Sequence, residues 1–210
     1  MVTSLAPRTI LDVGAGSAFF SRWLLTHTTA NRAVCVDTGY TASRNEDVQG
    51  KTIAFQPEIG IVDADLVLMM DVLEHVEDDV GLLRDYAALV PTGAHVMITV
   101  PAFNALWSPH DLFLGHKRRY TLVQLEKVVG LAGLQILTGA YYFGGIFPLA
   151  ALYRMFRRLN PPAGHEPASD LSMPGPLVNT LLYTLCKAEL PLFPFNRLAG
   201  LTACCLARKI

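Results

Sequence analysis

Short apolar runs alternate with amphipathic segments along most of this chain. Many of the runs stop at a glycine, an aspartate or a proline, which is typical of buried strands that end in a loop. Seven strands are predicted, at Thr9–Val13, Ala33–Val36, Lys51–Phe55, Asp65–Met70, Ala94–Val100, Leu134–Tyr142 and Leu201–Arg208.

The segments between these runs carry apolar residues at helical spacing, and Thr121 with Gln124 indicates a capping box at the start of one of them. Five helices are predicted, at Ser17–Thr28, Asp78–Leu89, Thr121–Ala132, Ile146–Leu159 and Leu177–Leu190. Strands that alternate with helices favour a parallel sheet covered on both faces. We therefore expect a doubly wound α/β fold, with a long loop at 101–120 and an exposed connection at 160–176.

Length and charge narrow the class of protein. The 210 residues suit a single domain, 1–210, and 51% hydrophobic residues exclude a disordered chain. A formal net charge of −1 makes a nucleic-acid-binding protein a poor candidate. Residues 1–111 hold 14 acidic and 6 basic side chains, whereas residues 112–210 hold 4 acidic and 11 basic ones, which suggests that the two halves have different roles.

The cysteines and the lengths of the apolar segments indicate where in the cell the protein is expected. Four cysteines without CxxC spacing predict buried, reduced thiols and a cytoplasmic protein. No apolar leader precedes the first strand, and glycines and Pro148 interrupt the longest uncharged stretch, 128–153, so neither a signal peptide nor a membrane span is expected. Peripheral contact with the inner face of a membrane stays open.

The first strand leads into the segment Ile10–Ala18, in which Gly14, Ala15 and Gly16 form a turn. Asp37 follows Gly16 by 21 residues, at the end of the second strand. A strand, a glycine turn, a helix and an acid at the next strand tip are typical of a nucleotide-cofactor site, in which the acid binds ribose hydroxyls.

The choice of cofactor depends on two further residues. Phe19 stands where dinucleotide sites need a small residue, and Asp12 at the strand tip would repel a pyrophosphate. A cofactor with an ammonium and a sulfonium group suits these residues better, which favours S-adenosylmethionine (AdoMet). The alternatives are an NAD-dependent oxidoreductase and an α/β protein whose turn binds no ligand.

With these motifs the chain resembles the class I AdoMet-dependent methyltransferases of bacteria, in the broad group that includes quinone and small-molecule O-methyltransferases. The matching segments are 11–16, 34–37, 65–76, 101–120 and 201–208. The resemblance implies a Rossmann-like sheet of seven strands with an antiparallel last strand. It also implies a set of cofactor-binding residues at the strand tips: Asp12, Gly14, Ala15, Gly16, Asp37, Thr38, Met70 and Asp71.

The segment before Thr9 departs from this pattern, because relatives usually carry helices there that cover the cofactor. A second class therefore stays open, a catalytically silent AdoMet-fold binding or scaffold subunit. The first hypothesis is an enzyme that methylates a small-molecule or lipid-linked acceptor, at oxygen rather than at carbon or nitrogen.

The acceptor site is expected where the long loop follows the fifth strand. Candidate acid–base groups are Asp71, Glu74, His75, His110 and His116. Candidate substrate-binding residues are Trp107, His110, Arg118, Arg119 and Tyr120. The structural alternatives are packing and capping for His75, a solvated acid for Glu74 and a solvated loop face for 117–119. His110, Asp111 and His116 match a metal site only loosely, so no metal is expected.

Residues 143–200 form an apolar and basic helical insertion before the last strand. The first of its helices ends in Arg154, Arg157 and Arg158, which is typical of a helix that lies at a membrane interface. A core helix and a homodimer contact are the alternatives.

Overall fold

The computed structural model describes residues 2–159 and 175–210. Its strands are β1 (Thr9–Val13), β2 (Arg32–Val36), β3 (Arg44–Val48), β4 (Lys51–Gln56), β5 (Leu66–Met70), β6 (His95–Pro101), β7 (Leu134–Tyr142) and β8 (Thr202–Lys209). Its α-helices are α1 (Phe19–His27), α2 (Asp79–Ala88), α3 (Pro109–Leu114), α4 (Leu122–Leu131), α5 (Phe147–Leu159) and α6 (Pro176–Glu189). The connection predicted at 160–176 lies, apart from its last two residues, outside the described residues.

All eight strands form one sheet in the order β3-β4-β2-β1-β5-β6-β8-β7. Strands β4, β2, β1, β5 and β6 run parallel, and β8 inserts antiparallel between β6 and β7. The prediction of a doubly wound, Rossmann-like sheet with an antiparallel last strand is confirmed, but the strand count of seven was one too low.

The missed strand is β3, which pairs antiparallel with β4 at the edge of the sheet. All of its residues are exposed or partly exposed, so no apolar run marks it in the sequence. Gln49 and Gly50 join the two strands with φ values of 57° and 79°, the left-handed conformation that two-residue hairpin turns require.

Helices cover both faces of the sheet because alternate side chains of each central strand point to opposite sides. Leu11 lies in a core with residues of α2 and α4, whereas Ile10 lies in a second core with Leu24 and Leu25 of α1. The parallel strands are buried on both faces, which explains why they appear in the sequence as continuous apolar runs.

The start of helix α1 and the presence of helix α3 differ from the prediction for local reasons. Helix α1 begins at Phe19 rather than Ser17, because Ala18 still has a left-handed φ of 58°. Helix α3 lies inside the segment predicted as a loop; it starts at a capping box between Ser108 and Asp111 and ends at Gly115, whose φ is 72°. The capping box predicted for α4 is present.

Helices α5 and α6 follow β7 and precede β8 along the chain. No side chain of α6 is buried, nor is any of the described side chains of α5, residues 147–156. The core-helix alternative is therefore wrong for both. The backbone amides of Gly144 and Gly145 donate to the carboxylate of Glu189 at 2.7 and 3.3 Å, which ties the start of α5 to the end of α6. Among the described residues, no helix has the length and apolar character to cross a bilayer.

Candidate active site

The turn after β1 has a left-handed backbone that only glycine adopts without strain. Gly14 and Gly16 have φ values of 67° and 49°. A Cβ on Gly14 would meet Cγ2 of Val72 at 2.7 Å, so the position is closed sterically as well. The Gly14 amide donates to the Val36 carbonyl at 2.8 Å, which fixes the turn beside the end of β2.

Asp37, directly after β2, holds the same turn through its carboxylate. Its Oδ2 accepts from the Gly16 amide at 2.9 Å and its Oδ1 accepts from the Gly39 amide at 2.8 Å. The Tyr40 hydroxyl donates to the Gly16 carbonyl at 2.6 Å. A carboxylate has about four lone-pair positions, so each Asp37 oxygen keeps room for a further donor.

A cavity of about 420 Å³ opens at the carboxyl ends of β1, β2 and β5. That volume lies within the range of ligand sites, and strand tips are where such sites form in parallel sheets. The cavity is lined by Val13, Gly14, Val36, Asp37, Thr38, Asp71, Val72, His75, Val76, Leu82 and Tyr86. The structure thus brings Gly14, Asp37, Thr38 and Asp71 of the predicted set together.

Asp12 lies behind the turn rather than in the cavity. Its carboxylate is 2% exposed and accepts from the Ser21 hydroxyl of α1 at 2.7 Å. Burial raises the pKa of Asp12 to about 6, with a smaller contribution from the charge of Asp37. The sequence predicts a direct contact between Asp12 and a cationic cofactor. The buried carboxylate contacts Ser21 instead.

Met70 and Ala15 also differ from the expected placement. Met70 lines an apolar depression with Phe19, Phe20 and Trp23 of α1, and Ala15 packs against the core on that side of the sheet. Both predicted cofactor residues thus shape the walls behind the turn and do not line the cavity itself.

A second cavity, of about 230 Å³, lies over the ends of β6 and β8. Its lining includes Asp71, Glu74, Pro101, His110, Leu114, His116, Arg119, Ala150, Arg154, Leu201 and Thr202. Asp71 belongs to both cavities. We call them the cofactor cavity, at the tips of β1, β2 and β5, and the acceptor cavity, over β6 and β8.

Asp71 is held at this junction by an unusual backbone conformation, a φ of 57° directly after β5. Its amide donates to the Thr99 carbonyl at 3.0 Å, and its Oδ1 accepts from the Thr99 hydroxyl at 3.3 Å. The surrounding walls limit solvation and raise the pKa of the Asp71 carboxyl, although the residue keeps an exposed surface. A carboxyl with a raised pKa is a better proton acceptor near neutral pH.

Three residues of the long segment after β6 form a buried ionic network. The guanidinium of Arg119 donates to both oxygens of Asp111, at 2.7 and 3.0 Å, and His116 Nδ1 lies 2.9 Å from Asp111 Oδ1. Burial would raise the pKa of Asp111, but hydrogen bonds from Arg119 and His116 outweigh it and lower this pKa to about 2. The network fixes the shape of the segment that covers the acceptor cavity.

Glu74 is fully buried beside this network, and neither of its carboxyl oxygens has a hydrogen-bond partner among the described residues. Burial, followed by the charge of Asp71, raises the pKa of Glu74 to about 8. The ring of neighbouring His75 meets the His116 ring edge to face, with centroids 4.8 Å apart. Partial burial and the proximity of His116 lower the pKa of His75.

Arg118 and Tyr120, which were predicted to bind substrate, make hydrogen bonds within the protein instead. Arg118 donates to Asp79 at 3.2 Å and to the Glu77 carbonyl at 2.9 Å, while the Tyr120 hydroxyl donates to Asp79 Oδ2 at 2.7 Å. These contacts brace the turn after β5 from outside. Trp107, Arg118 and Tyr120 do not line the acceptor cavity, whereas His110, His116 and Arg119 do.

Strand tips with a glycine turn, an acid after the second strand and two cavities that share Asp71 are typical of an enzyme that binds a nucleotide cofactor beside a second substrate. The family described as "Methyltransferase domain" matches residues 3–138. The chain belongs to this methyltransferase family, and the prediction of a class I AdoMet-dependent methyltransferase is confirmed. The quinone subgroup stays a prediction. A search of the curated proteins found no significant match.

Three solved structures illustrate the shared fold. An S-adenosylmethionine-dependent methyltransferase from Mesorhizobium loti has 14% identity and a TM-score of 0.55, covering 97% of this chain and 91% of its own. A SAM-dependent methyltransferase from Archaeoglobus fulgidus has 16% identity and a TM-score of 0.53, covering 96% and 86%. The phosphoethanolamine N-methyltransferase 2 of Haemonchus contortus, in complex with S-adenosyl-L-methionine, has 15% identity and a TM-score of 0.55, covering 96% and 48%. At these identities the likeness concerns the fold alone.

Proposed function

We propose that this methyltransferase transfers the methyl group of AdoMet to an oxygen atom of a small or lipid-linked acceptor. The observation that carries the proposal is the position of Asp71, which lines both the cofactor cavity and the acceptor cavity. A carboxylate at the junction of two substrates is placed to accept a proton from the group that is being methylated.

The cofactor cavity supplies the contacts that AdoMet needs. The free lone pairs of Asp37 bind the ribose hydroxyls, and the bare backbone at Gly14 lets the methionine portion approach. Val36, Leu82 and Tyr86 provide an apolar wall for the adenine. The sulfonium then points toward Asp71, whose negative charge favours it.

The proposed methyl transfer needs no reactant besides AdoMet and the acceptor. The acceptor hydroxyl gives its proton to the Asp71 carboxylate, and its oxygen forms a bond to the methyl carbon. The bond from sulfur to that carbon breaks, its electron pair stays on sulfur, and S-adenosylhomocysteine results. Alignment of the two substrates across the junction supplies most of the catalysis in such a displacement.

A lipid-linked acceptor is supported by helix α5. Ala150 and Arg154 line the acceptor cavity, so a polar head carrying negative charge fits there. The outer face of the same helix presents Leu149, Leu152 and Phe156, which are 63%, 60% and 62% exposed. Contiguous exposed apolar side chains mark an interaction surface, and a lipid tail or a membrane surface is the occupant that an acceptor head in this cavity implies.

The test is transfer from methyl-labelled AdoMet to a cell extract that is then partitioned into organic and aqueous phases. We expect label in the organic phase, with mass spectrometry locating the methyl on oxygen. Asp71→Asn should reduce transfer by at least about 100-fold, the lower range for loss of a catalytic base. Asp85→Asn, on the exposed side of α2, is the matched control and should leave transfer unchanged.

A second pair of variants tests the lipid. Leu152→Glu on α5 should reduce labelling of the organic phase without weakening AdoMet binding, whereas Val123→Glu, 72% exposed on α4, should change neither. Label found only on nitrogen or carbon would refute the oxygen acceptor. Label found only in aqueous material, equal in both glutamate variants, would refute the lipid-linked acceptor.

A further inference from the structure

Three potential metal ligands meet between the two cavities, because Glu74 and His116 line the acceptor cavity and His75 lines the cofactor cavity. Glu74 and His75 come from the turn after β5, and His116 comes from the segment after α3. One ligand atom from each of the three lies within 4.8 Å of the others. We propose that Glu74, His75 and His116 bind a divalent transition-metal ion.

The strongest sign of a missing partner is Glu74 itself. It is 0% exposed, and both of its carboxyl oxygens lack a hydrogen-bond partner among the described residues. Nearly all buried polar groups in native proteins have a partner, and an isolated buried carboxylate is costly. A cation bound between Glu74 and the two imidazoles would supply a partner for this carboxylate.

The surroundings of His116 match those of a metal ligand. Metal-binding histidines usually donate their second ring nitrogen to a carboxylate, which fixes the tautomer and the ring orientation. Here Nδ1 of His116 faces Asp111 Oδ1 at 2.9 Å, and this carboxylate is in turn held by Arg119. A carboxylate only accepts hydrogen bonds, so Nδ1 carries a proton here and Nε2 is the ring nitrogen through which His116 would bind a metal.

The geometry also sets the kind of ion. Bonds of about 2.0–2.2 Å to nitrogen and oxygen place ligand atoms at most about 4.3 Å apart, so binding requires the cluster to contract by about half an ångström or more. Two imidazoles and one carboxylate suit Zn²⁺, Fe²⁺, Co²⁺ or Mn²⁺ better than Ca²⁺ or Mg²⁺. Three protein ligands leave at least one position open for another oxygen.

The open position gives the ion a chemical role in methyl transfer. This role rests on the proposed function, whereas the binding of the ion is independent of it. The cluster borders Asp71 at the junction of the two cavities. An acceptor hydroxyl bound to the ion would lose its proton more easily, because a metal lowers the pKa of bound oxygen. The acceptor class is then a compound whose hydroxyl oxygen, alone or with a neighbouring oxygen, can coordinate a metal.

The test uses tag-free full-length protein treated with a chelator and then dialysed. Zn²⁺ is titrated by calorimetry, and Co²⁺ by its visible absorption, without AdoMet or acceptor. We expect one equivalent of either ion to bind to the wild type and to raise its thermal midpoint. Asp111→Asn should lower affinity by about 10–100-fold, as loss of an outer partner does, and Glu74→Gln and His116→Gln should lower it further.

His27→Gln, on the exposed surface of α1, is the matched histidine control and should bind as the wild type does. Glu74→Gln keeps the shape of the side chain, so its midpoint in the absence of metal shows that it folds. The proposal is overturned when the wild type binds neither ion, or when Glu74→Gln and His116→Gln bind as tightly as the wild type. Methyl transfer that persists in a protein shown to contain no metal removes the catalytic role but leaves the proposed function standing. A protein that binds the metal ion but fails to bind AdoMet removes the proposed function and leaves the metal site standing.

Discussion

The buried carboxyl of Asp12 yields the sharpest stability prediction. It is 2% exposed, and burial raises its pKa from 3.8 to about 6. Both the folded and the unfolded protein carry the proton on Asp12 below about pH 4, where the group affects stability little. Above pH 6 the folded state must hold a buried charge, so this group lowers stability as pH rises from about 4 to about 6.

The magnitude follows from the size of the pKa shift. Each pKa unit corresponds to about 1.4 kcal/mol, so a shift of about two units costs the folded state about 3 kcal/mol at pH 7. Asp12→Asn removes this titration and keeps an oxygen that accepts from Ser21. The difference in free energy of unfolding, variant minus wild type, should therefore increase by about 3 kcal/mol between pH 4 and pH 7.

The assay is urea unfolding of both proteins at several pH values across that window. The cost of burying the new amide does not depend on pH, so it shifts the whole curve without changing its slope. A difference that stays flat, or that decreases as pH rises, would refute the assignment of a raised pKa to Asp12. A flat difference would show that the Asp12 carboxyl has the same pKa in the folded and in the unfolded protein.

Three further predictions concern the site and the core behind it. Gly14→Ala should weaken AdoMet binding and destabilise the fold by about 1–3 kcal/mol, because it combines a left-handed alanine with a clash against Val72. Adding Val72→Ala should relieve only the clash; calorimetry measures the binding and denaturant unfolding measures the stability. Arg119→Ala should cost about 3–5 kcal/mol because it leaves the buried Asp111 carboxylate without its main partner, and denaturant unfolding that shows under 1 kcal/mol would contradict the network. Burial raises the pKa of the Cys35 thiol to about 12, so mass spectrometry should find it unmodified by iodoacetamide at pH 8 in the native protein and modified in urea.

The fold was readable from the sequence where burial dominates. Strands such as β1 and β5 are buried on both faces and leave continuous apolar runs, so their positions were predicted to within about two residues. Strand β3 is polar and lies at the edge, and helix α3 has only six residues, so neither has an apolar period to detect.

The candidate site was readable only where spacing determines position. Asp37 was found because an acid at the second strand tip must lie beside the glycine turn. Asp12 was misplaced because its charge was considered without the alternation of β1, which puts it on the face of Ile10 beneath α1. The pairing of Asp111 with Arg119 and the burial of Glu74 depend on how the segment after β6 folds back, which residue types alone do not determine.

The most direct test of the account is calorimetric titration of the wild type and Asp37→Asn with AdoMet and, separately, with NAD⁺. We predict that AdoMet binds the wild type at one site, that Asp37→Asn weakens it by at least about tenfold, the effect of losing one charged hydrogen bond, and that NAD⁺ does not bind. Equal AdoMet affinities for the two proteins, or NAD⁺ binding in place of AdoMet, would contradict the claim that the strand tips of β1 and β2 hold the methyl donor.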